Sequence, residues 1–238
     1  MSGQEPANLI LADNEVHVWS AALDRPTAQV EQLAQTLAAD EQSRADRFYF
    51  ERDRLRFIVG RGLLRVILGR YLGLEPAGLC FDYSAQGKPA LAETGLEDQR
   101  RLCFNLAHSH GLAVYAISRG REIGVDVEHI RPIAEAEQIA ERFFSAPEIT
   151  LLQTLPLQQK QETFFIFWTR KEAYLKATGT GLARPLDQFD VSLGPKLTVP
   201  GDPQEAARWS ICDLKPAEGF VGALAVAGYD WQLKCWQF

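Results

Sequence analysis

Apolar residues recur along this chain with two spacings. Short apolar or alternating runs, bounded by turn residues, predict strands at Glu15 to Ser20, Leu79 to Tyr83, Cys103 to Ala107, Ala113 to Ser118 and Ile123 to Glu128. Further strands are expected at Gln188 to Leu193, Trp209 to Leu214, Gly222 to Ala227 and Trp231 to Trp236. Apolar residues three and four apart predict helices at Thr27 to Thr36, Arg54 to Tyr71, Ile133 to Phe143, Pro147 to Thr154 and Glu162 to Ala177, with a short basic helix at Asp40 to Phe50. Ser145-Ala146-Pro147-Glu148 carries helix-start signals: an N-cap serine, an early proline and a glutamate at the capping-box position. Strands and helices in this order predict an α+β fold.

The pattern also repeats. Phe81-Asp82-Tyr83-Ser84 matches Phe189-Asp190-Val191-Ser192 at an offset of 108 residues, and Phe57-Ile58 then matches Phe165-Ile166 and Gly73-Leu74 matches Gly181-Leu182. Leu106, Gly111 and Gly120 fall on Leu214, Gly219 and Gly228. Roughly 13 identities over roughly 65 positions stand against about four expected by chance. Two copies of one unit are expected, residues 1–119 and 120–238, packed about a pseudo-twofold with a cleft between them; chance similarity between two α+β segments is the alternative. With a one-residue slip, Val16-His17-Val18 falls on Val125-Asp126-Val127. Acids are then confined to the second copy, since His17 stands where Asp126 does and Leu64 where Glu172 does.

At 238 residues, 46% of them hydrophobic and 24% charged, the chain is long enough for a substantial core and ordinary in make-up. A net charge of −6 gives no global attraction to nucleic acid or to an anionic membrane. No apolar run approaches the ~20 residues of a membrane span, and the start lacks the basic region of a secretory signal, so a cytoplasmic location is expected. Cys80, Cys103, Cys212 and Cys235 lie far apart, which predicts reduced, buried, inert thiols and no zinc site.

The candidate chemistry sits in Gly124-Val125-Asp126-Val127-Glu128 and in the helix Phe164 to Lys176. Alternate residues of a strand share a face, so Asp126 and Glu128 point one way. Residues four apart on a helix do likewise, pairing Glu172 with Lys176. Should the faces meet, three carboxylates and an ammonium converge, which suits a hard divalent cation beside a phosphate. Blander readings compete: paired acids decorate the solvated face of many half-buried sheets, and Glu followed by Lys four residues on is a favoured surface ion pair.

Arginine is dense in the first copy, at Arg44, Arg47, Arg52, Arg54, Arg56, Arg61, Arg65 and Arg70; Arg56 or Arg61 aimed into the cleft could take an anion bidentately. Gln86-Gly87-Lys88-Pro89 reads as a turn. His108-Ser109-His110 ends a strand with donors suited to phosphate oxygens, metal ligation being the weaker option for want of further ligands. Neither a Walker A sequence nor Gly-x-Gly-x-x-Gly is present.

Gly124 to Glu128 followed by Trp168-Thr169-Arg170-Lys171-Glu172-Ala173-Tyr174-Leu175-Lys176 resembles the paired signature of the 4'-phosphopantetheinyl transferases. Phe104 to Ser109 and the Gly87-Lys88-Pro89 turn resemble the larger, monomeric class of that family, which activates nonribosomal peptide and polyketide synthases; the likeness spans about Asp40 to Ser192. The resemblance implies two α+β halves in tandem with coenzyme A between them, and transfer of its phosphopantetheine to a serine of an apo acyl or peptidyl carrier protein. It implies that Asp126, Glu128 and Glu172 bind Mg²⁺ (Mn²⁺ as alternative), that Glu172 is also the base, and that Lys176 pairs with the transferred phosphoryl group. His108 and Ser109 would touch the phosphates of the adenylate end, with Arg44 on the 3'-phosphate and Gly87, Lys88 and Pro89 along the adenine. Ala107 departs from the serine usual in the family and removes one hydroxyl from that phosphate site. A catalytically idle binding module and a Mg²⁺-dependent pyrophosphate hydrolase are the rival readings. Carrier proteins are acidic helical bundles, so a local basic and apolar patch is expected despite the net charge.

Overall fold

A computed structural model describes residues 9–92, 101–181, 184–192 and 194–238. Two sheets carry the fold. The first has strand order β4-β5-β1-β9, built from β1 (Glu15–Ala22), β4 (Leu102–Ser109), β5 (Leu112–Arg119) and β9 (Gln232–Gln237). In the second, β6 (Ile123–His129), β7 (Trp209–Leu214) and β8 (Phe220–Ala227) run in the order β6-β8-β7. A small ribbon pairs β2 (Phe81–Tyr83) with β3 (Pro89–Leu91).

Alternation along the strands explains how these sheets are layered, because successive side chains leave a strand on opposite faces. From β1 and β5, Trp19, Ala21, Ala113, Tyr115 and Ile117 join the core beneath helix α3 (Glu51–Leu72). Their neighbours Val16, Val18, Val114 and Ala116 enter a second core with Ile123, Val125, Val127, Leu224 and Val226 of the other sheet. From β8, Val221, Ala223 and Ala225 turn to a third core, under helix α6 (Leu157–Thr178). Four layers result, helix–sheet–sheet–helix, and β1, β5, β6 and β8 are buried on both faces. Each long helix ends on a left-handed glycine, Gly73 at φ 64° and Gly179 at φ 69°. The orders β4-β5-β1 and β7-β8-β6 are the same, and β5 and β8 lie 108 residues apart along their whole length. Strand β9 breaks this parallel: it comes from the end of the chain yet runs parallel to β1 in the first sheet.

The described residues also form helices α1 (Thr27–Ala34), α2 (Ala39–Ala45), α4 (Ala136–Phe143), α5 (Ala146–Thr154) and α7 (Pro203–Arg208). Ser145 and Glu148 form the expected capping box on α5. Three expectations fail. The basic helix stops at Ala45, and residues 46–50 carry Phe48, Tyr49 and Phe50 exposed. Gln188 to Leu193 is no strand over its described residues: a 3₁₀ turn at Leu186–Gln188 precedes a single bridge from Asp190 to Thr198. There the Asp190 carboxylate accepts from Ser145 Oγ (2.6 Å), Ser192 Oγ (2.7 Å) and Ser192 N (3.1 Å), so side chains hold this backbone in place of a ladder. Leu193, and the Leu182 of the self-match, lie outside the described residues. The cysteines are free as expected but not buried: Cys80 is exposed and the others are half-buried.

Candidate active site

Gly124 is where strand β6 crosses helix α6, and it lets them touch. A Cβ there would stand 2.1 Å from the Ala173 carbonyl oxygen and 2.3 Å from the Ala177 nitrogen. Two residues on, Asp126 therefore reaches the same helix, and Lys176 Nζ donates to its Oδ1 at 2.7 Å. Asp126 is 7% exposed, and its Oδ2 is buried without a hydrogen-bond partner. Burial, aided by the charges of Glu172 and Glu128 and opposed by Lys176, pushes its carboxyl up to about 6. Glu172 is raised too, first by burial and then by Glu128. Glu128 accepts from Ser109 Oγ at 2.8 Å and from Arg131 Nη1 at 3.3 Å, both at Oε2.

Strand face and helix face thus meet as the spacing predicts. The arrangement is a group of three acids with one lysine tied to a single member of it. Among the described residues, no three carboxylate, histidine or cysteine groups stand close enough to close on an ion as they are placed. The unpartnered Oδ2 and the raised Asp126 and Glu172 carboxyls are the mark of a site short of positive charge, and all-oxygen donors suit a hard cation.

Beside these acids runs a cleft of about 970 Å³ with walls from both halves of the chain. Arg44, Arg56, Gly87, Lys88, Pro89, His108, Ser109, Glu172 and Lys176 all line it. Their side chains are not equally free. Arg44 stacks over Phe57 at 5.2 Å. Burial lowers His108, with Lys176 adding to the effect. Lys88 Nζ donates to the carbonyls of Lys176 (2.6 Å), Ile123 (3.1 Å) and Ala177 (3.4 Å), which commits it to the C-terminal turn of α6. Arg56 forks onto Asp24 with two bonds of 2.7 Å. Arg61, also on the cleft wall, lies 2.8 Å from the buried Glu41 in an ion pair out of hydrogen-bond alignment, and it donates to the Tyr83 hydroxyl. Each guanidinium is thus already paired with a carboxylate, and the hydrogens left for an anion are those on the far edge of the group.

One pair here escaped sequence reasoning. Lys171, beside Glu172, is wholly buried and lies 2.9 Å from the equally buried Glu148. Its Nζ also donates to the carbonyls of Leu186 (2.6 Å) and Phe189 (2.7 Å). All three ammonium hydrogens are engaged, so this lysine holds the core behind the site and has none left for a ligand.

Residues 122–225 match the 4'-phosphopantetheinyl transferase superfamily, and residues 23–119 match the 4'-phosphopantetheinyl transferase N-terminal family. The chain is 48% identical over 234 residues to the 4'-phosphopantetheinyl transferase HetI of Nostoc sp., an alignment covering 98% of this chain and 97% of that protein. With the 4'-phosphopantetheinyl transferase Sfp of Bacillus subtilis it shares 30% identity over 178 residues, 74% of this chain and 76% of that protein. The crystal structure of Thermotoga maritima holo-[acyl-carrier-protein] synthase overlaps 45% of this chain and 62% of its own at a TM-score of 0.37 and 25% identity.

Proposed function

The chain belongs to the 4'-phosphopantetheinyl transferases, of the Sfp-like type, and is an enzyme; we propose that it transfers phosphopantetheine from coenzyme A to a serine hydroxyl of an apo acyl or peptidyl carrier protein. The observation that carries this reading is Glu172 and Lys176 facing the cleft one helical turn apart, with the unpartnered Asp126 oxygen behind them. Asp126, Glu128 and Glu172 would hold Mg²⁺, which when bound supplies positive charge to the coenzyme A diphosphate. The two halves, read as copies of one unit with a shared strand order, close on coenzyme A from either side. The enzyme acts as a cytoplasmic monomer in this reading.

The bonds balance simply. The serine oxygen forms a bond to the β-phosphorus, and the bond from that phosphorus to the departing 3',5'-ADP breaks. Glu172, lifted by burial above the ordinary carboxylate range, takes the serine proton. Lys176 answers the negative charge that gathers on the phosphoryl oxygens, and His108 donates a hydrogen bond to the phosphates. Arg44 answers the 3'-phosphate, Gly87 and Pro89 border the adenine, and Lys88 acts there by fixing the end of α6.

The test is an intact mass of an apo carrier protein after incubation with enzyme, coenzyme A and Mg²⁺. A gain of one phosphopantetheine, lost with EDTA and lost in Asp126→Ala at unchanged melting temperature, supports the reading. Full transfer by Asp126→Ala would sink it. Coenzyme A consumed without a carrier would favour a hydrolase, and coenzyme A bound but never consumed on any carrier would favour a binding module.

A further inference from the structure

The two sheets meet along a seam where the edge strand β4 of one faces the edge strand β6 of the other. Side chains of β4 bond to the backbone of β6 across this seam. Asn105 Oδ1 accepts from Val125 N at 2.9 Å, and Ser109 Oγ accepts from His129 N at 3.3 Å. Both acceptors sit on one face of β4, four residues apart, and both donors on one edge of β6, also four apart. Asp126 and Glu128 lie between those two fastenings.

Ser109 does more than fasten backbone, since its hydrogen goes to Glu128 Oε2 at 2.8 Å. A hydroxyl has one hydrogen and two lone pairs. With the hydrogen given to Glu128, only lone pairs remain, and a phosphate oxygen offers only lone pairs in return. Ser109 cannot serve Glu128 and an ionised phosphate at once. Arg131 Nη1 donates to the same Oε2, which leaves Oε1 with no protein partner among the described residues.

We infer that Ser109, with Asn105, is a positioning residue that fixes β6 and turns Glu128 Oε1 toward the cation, and is not a phosphate contact. The inference rests on the transferase reading and reassigns one residue within it. Orienting partners of metal ligands are worth 10- to 100-fold in metal affinity or rate.

Mn²⁺ binding, followed by the electron paramagnetic resonance of free Mn²⁺ with coenzyme A present and no carrier, tests it without turnover. Ser109→Ala should weaken Mn²⁺ binding by about tenfold or more while the coenzyme A KM in steady-state assays stays within about twofold. Ser109→Thr, which keeps the hydroxyl, should restore the Mn²⁺ affinity. In an Glu128→Ala background, Ser109→Ala should have no further effect on Mn²⁺, a comparison that stands even where each variant loses some stability. Unchanged Mn²⁺ affinity with a raised coenzyme A KM overturns the inference and makes Ser109 a phosphate contact. An equal loss in both backgrounds overturns it as well. Wild-type protein that neither binds Mn²⁺ nor transfers overturns it together with the transferase reading, whereas wild type that does both leaves that reading standing whichever way Ser109 falls.

Discussion

Alanine at position 124 adds one methyl group where strand and helix touch. Its Cβ would lie 2.1 Å from the Ala173 carbonyl oxygen and 2.3 Å from the Ala177 nitrogen, both of them backbone atoms that no rotamer change can move. Restoring ordinary contact near 3.4 Å requires α6 to withdraw from β6 by about 1.3 Å at this crossing. Overpacking of this kind costs about 1–3 kcal/mol, or roughly 2–12 °C in melting temperature for a chain of this length. The functional loss should be the larger effect. Glu172 and Lys176 ride on the displaced helix while Asp126 stays on the strand, and the 2.7 Å bond between Lys176 and Asp126 cannot survive unchanged. A misplacement of about 1 Å among reacting groups costs on the order of 100-fold in rate. Calorimetry and carrier-mass kinetics on the same preparation separate the two terms. Gly124→Ala protein that is folded and melts near wild type, yet transfers at the wild-type rate, would refute the claim that this contact sets the site.

Other substitutions probe other parts of the molecule. Lys171→Met leaves Glu148 as an uncompensated buried charge and two carbonyls without donors, which should cost about 3–5 kcal/mol and lower the melting temperature by roughly 6–20 °C; a shift below about 2 °C by calorimetry would contradict it. Glu15 is held down to about 2 by its hydrogen bond from Lys234, so its stabilisation is present above its unfolded value of 4.5 and is lost as pH falls from there toward 2. Glu15→Gln should therefore remove about 1 kcal/mol at neutral pH, the partner Lys234 being half exposed to water, and flatten the melting temperature between pH 5 and 3, and parallel curves for the two proteins would count against the pairing. Ala107→Ser restores a hydroxyl to the cleft wall and should lower the coenzyme A KM about 2- to 10-fold, the worth of one hydrogen bond; an unchanged or higher KM would show that position 107 does not meet the phosphate.

The acids and the helix that faces them were legible because their spacings are local. Two residues set the face of a strand and four set the face of a helix, so Asp126, Glu128, Glu172 and Lys176 could be grouped before any packing was known. Long-range partners could not be read this way. Lys171 stands in a polar run, Thr169-Arg170-Lys171-Glu172, that reads as solvated; its burial depends on carbonyls 15 and 18 residues onward. Ser109 looked like a phosphate donor from its neighbours alone, and only the fold brings Glu128 to its hydroxyl. The pairing of Arg56 and Arg61 with carboxylates was equally hidden, because Asp24 and Glu41 are distant in sequence. Strand β9 was visible as a strand, but no local pattern says which sheet it joins.

That last choice bears on why only one half carries the acids. His17 on β1 faces α3 much as Asp126 on β6 faces α6, and the tandem reading equates the two positions. Their surroundings differ in what borders the strand. Beside β1 lies β9, which brings Trp236 edge-on to the His17 ring at 4.5 Å and places Lys234 against Glu15. His17 is 1% exposed, and both of its ring nitrogens are bonded, to the Tyr71 hydroxyl at 2.7 Å and to Glu15 at 3.0 Å. Nothing there is left for a ligand. Among the described residues no strand pairs its backbone with the corresponding edge of β6; β4 lies there instead, fastened at two points through Asn105 and Ser109, and the cleft opens alongside. Asp126 consequently keeps an unpartnered oxygen and a raised carboxyl, a strained arrangement of the kind that persists where it is used. A carboxylate at position 17 would be sealed under Trp236 beside Glu15; in the proposed transferase reading the fourth strand makes the first half a scaffold, and the second sheet, without such a paired strand among its described residues, leaves room for chemistry.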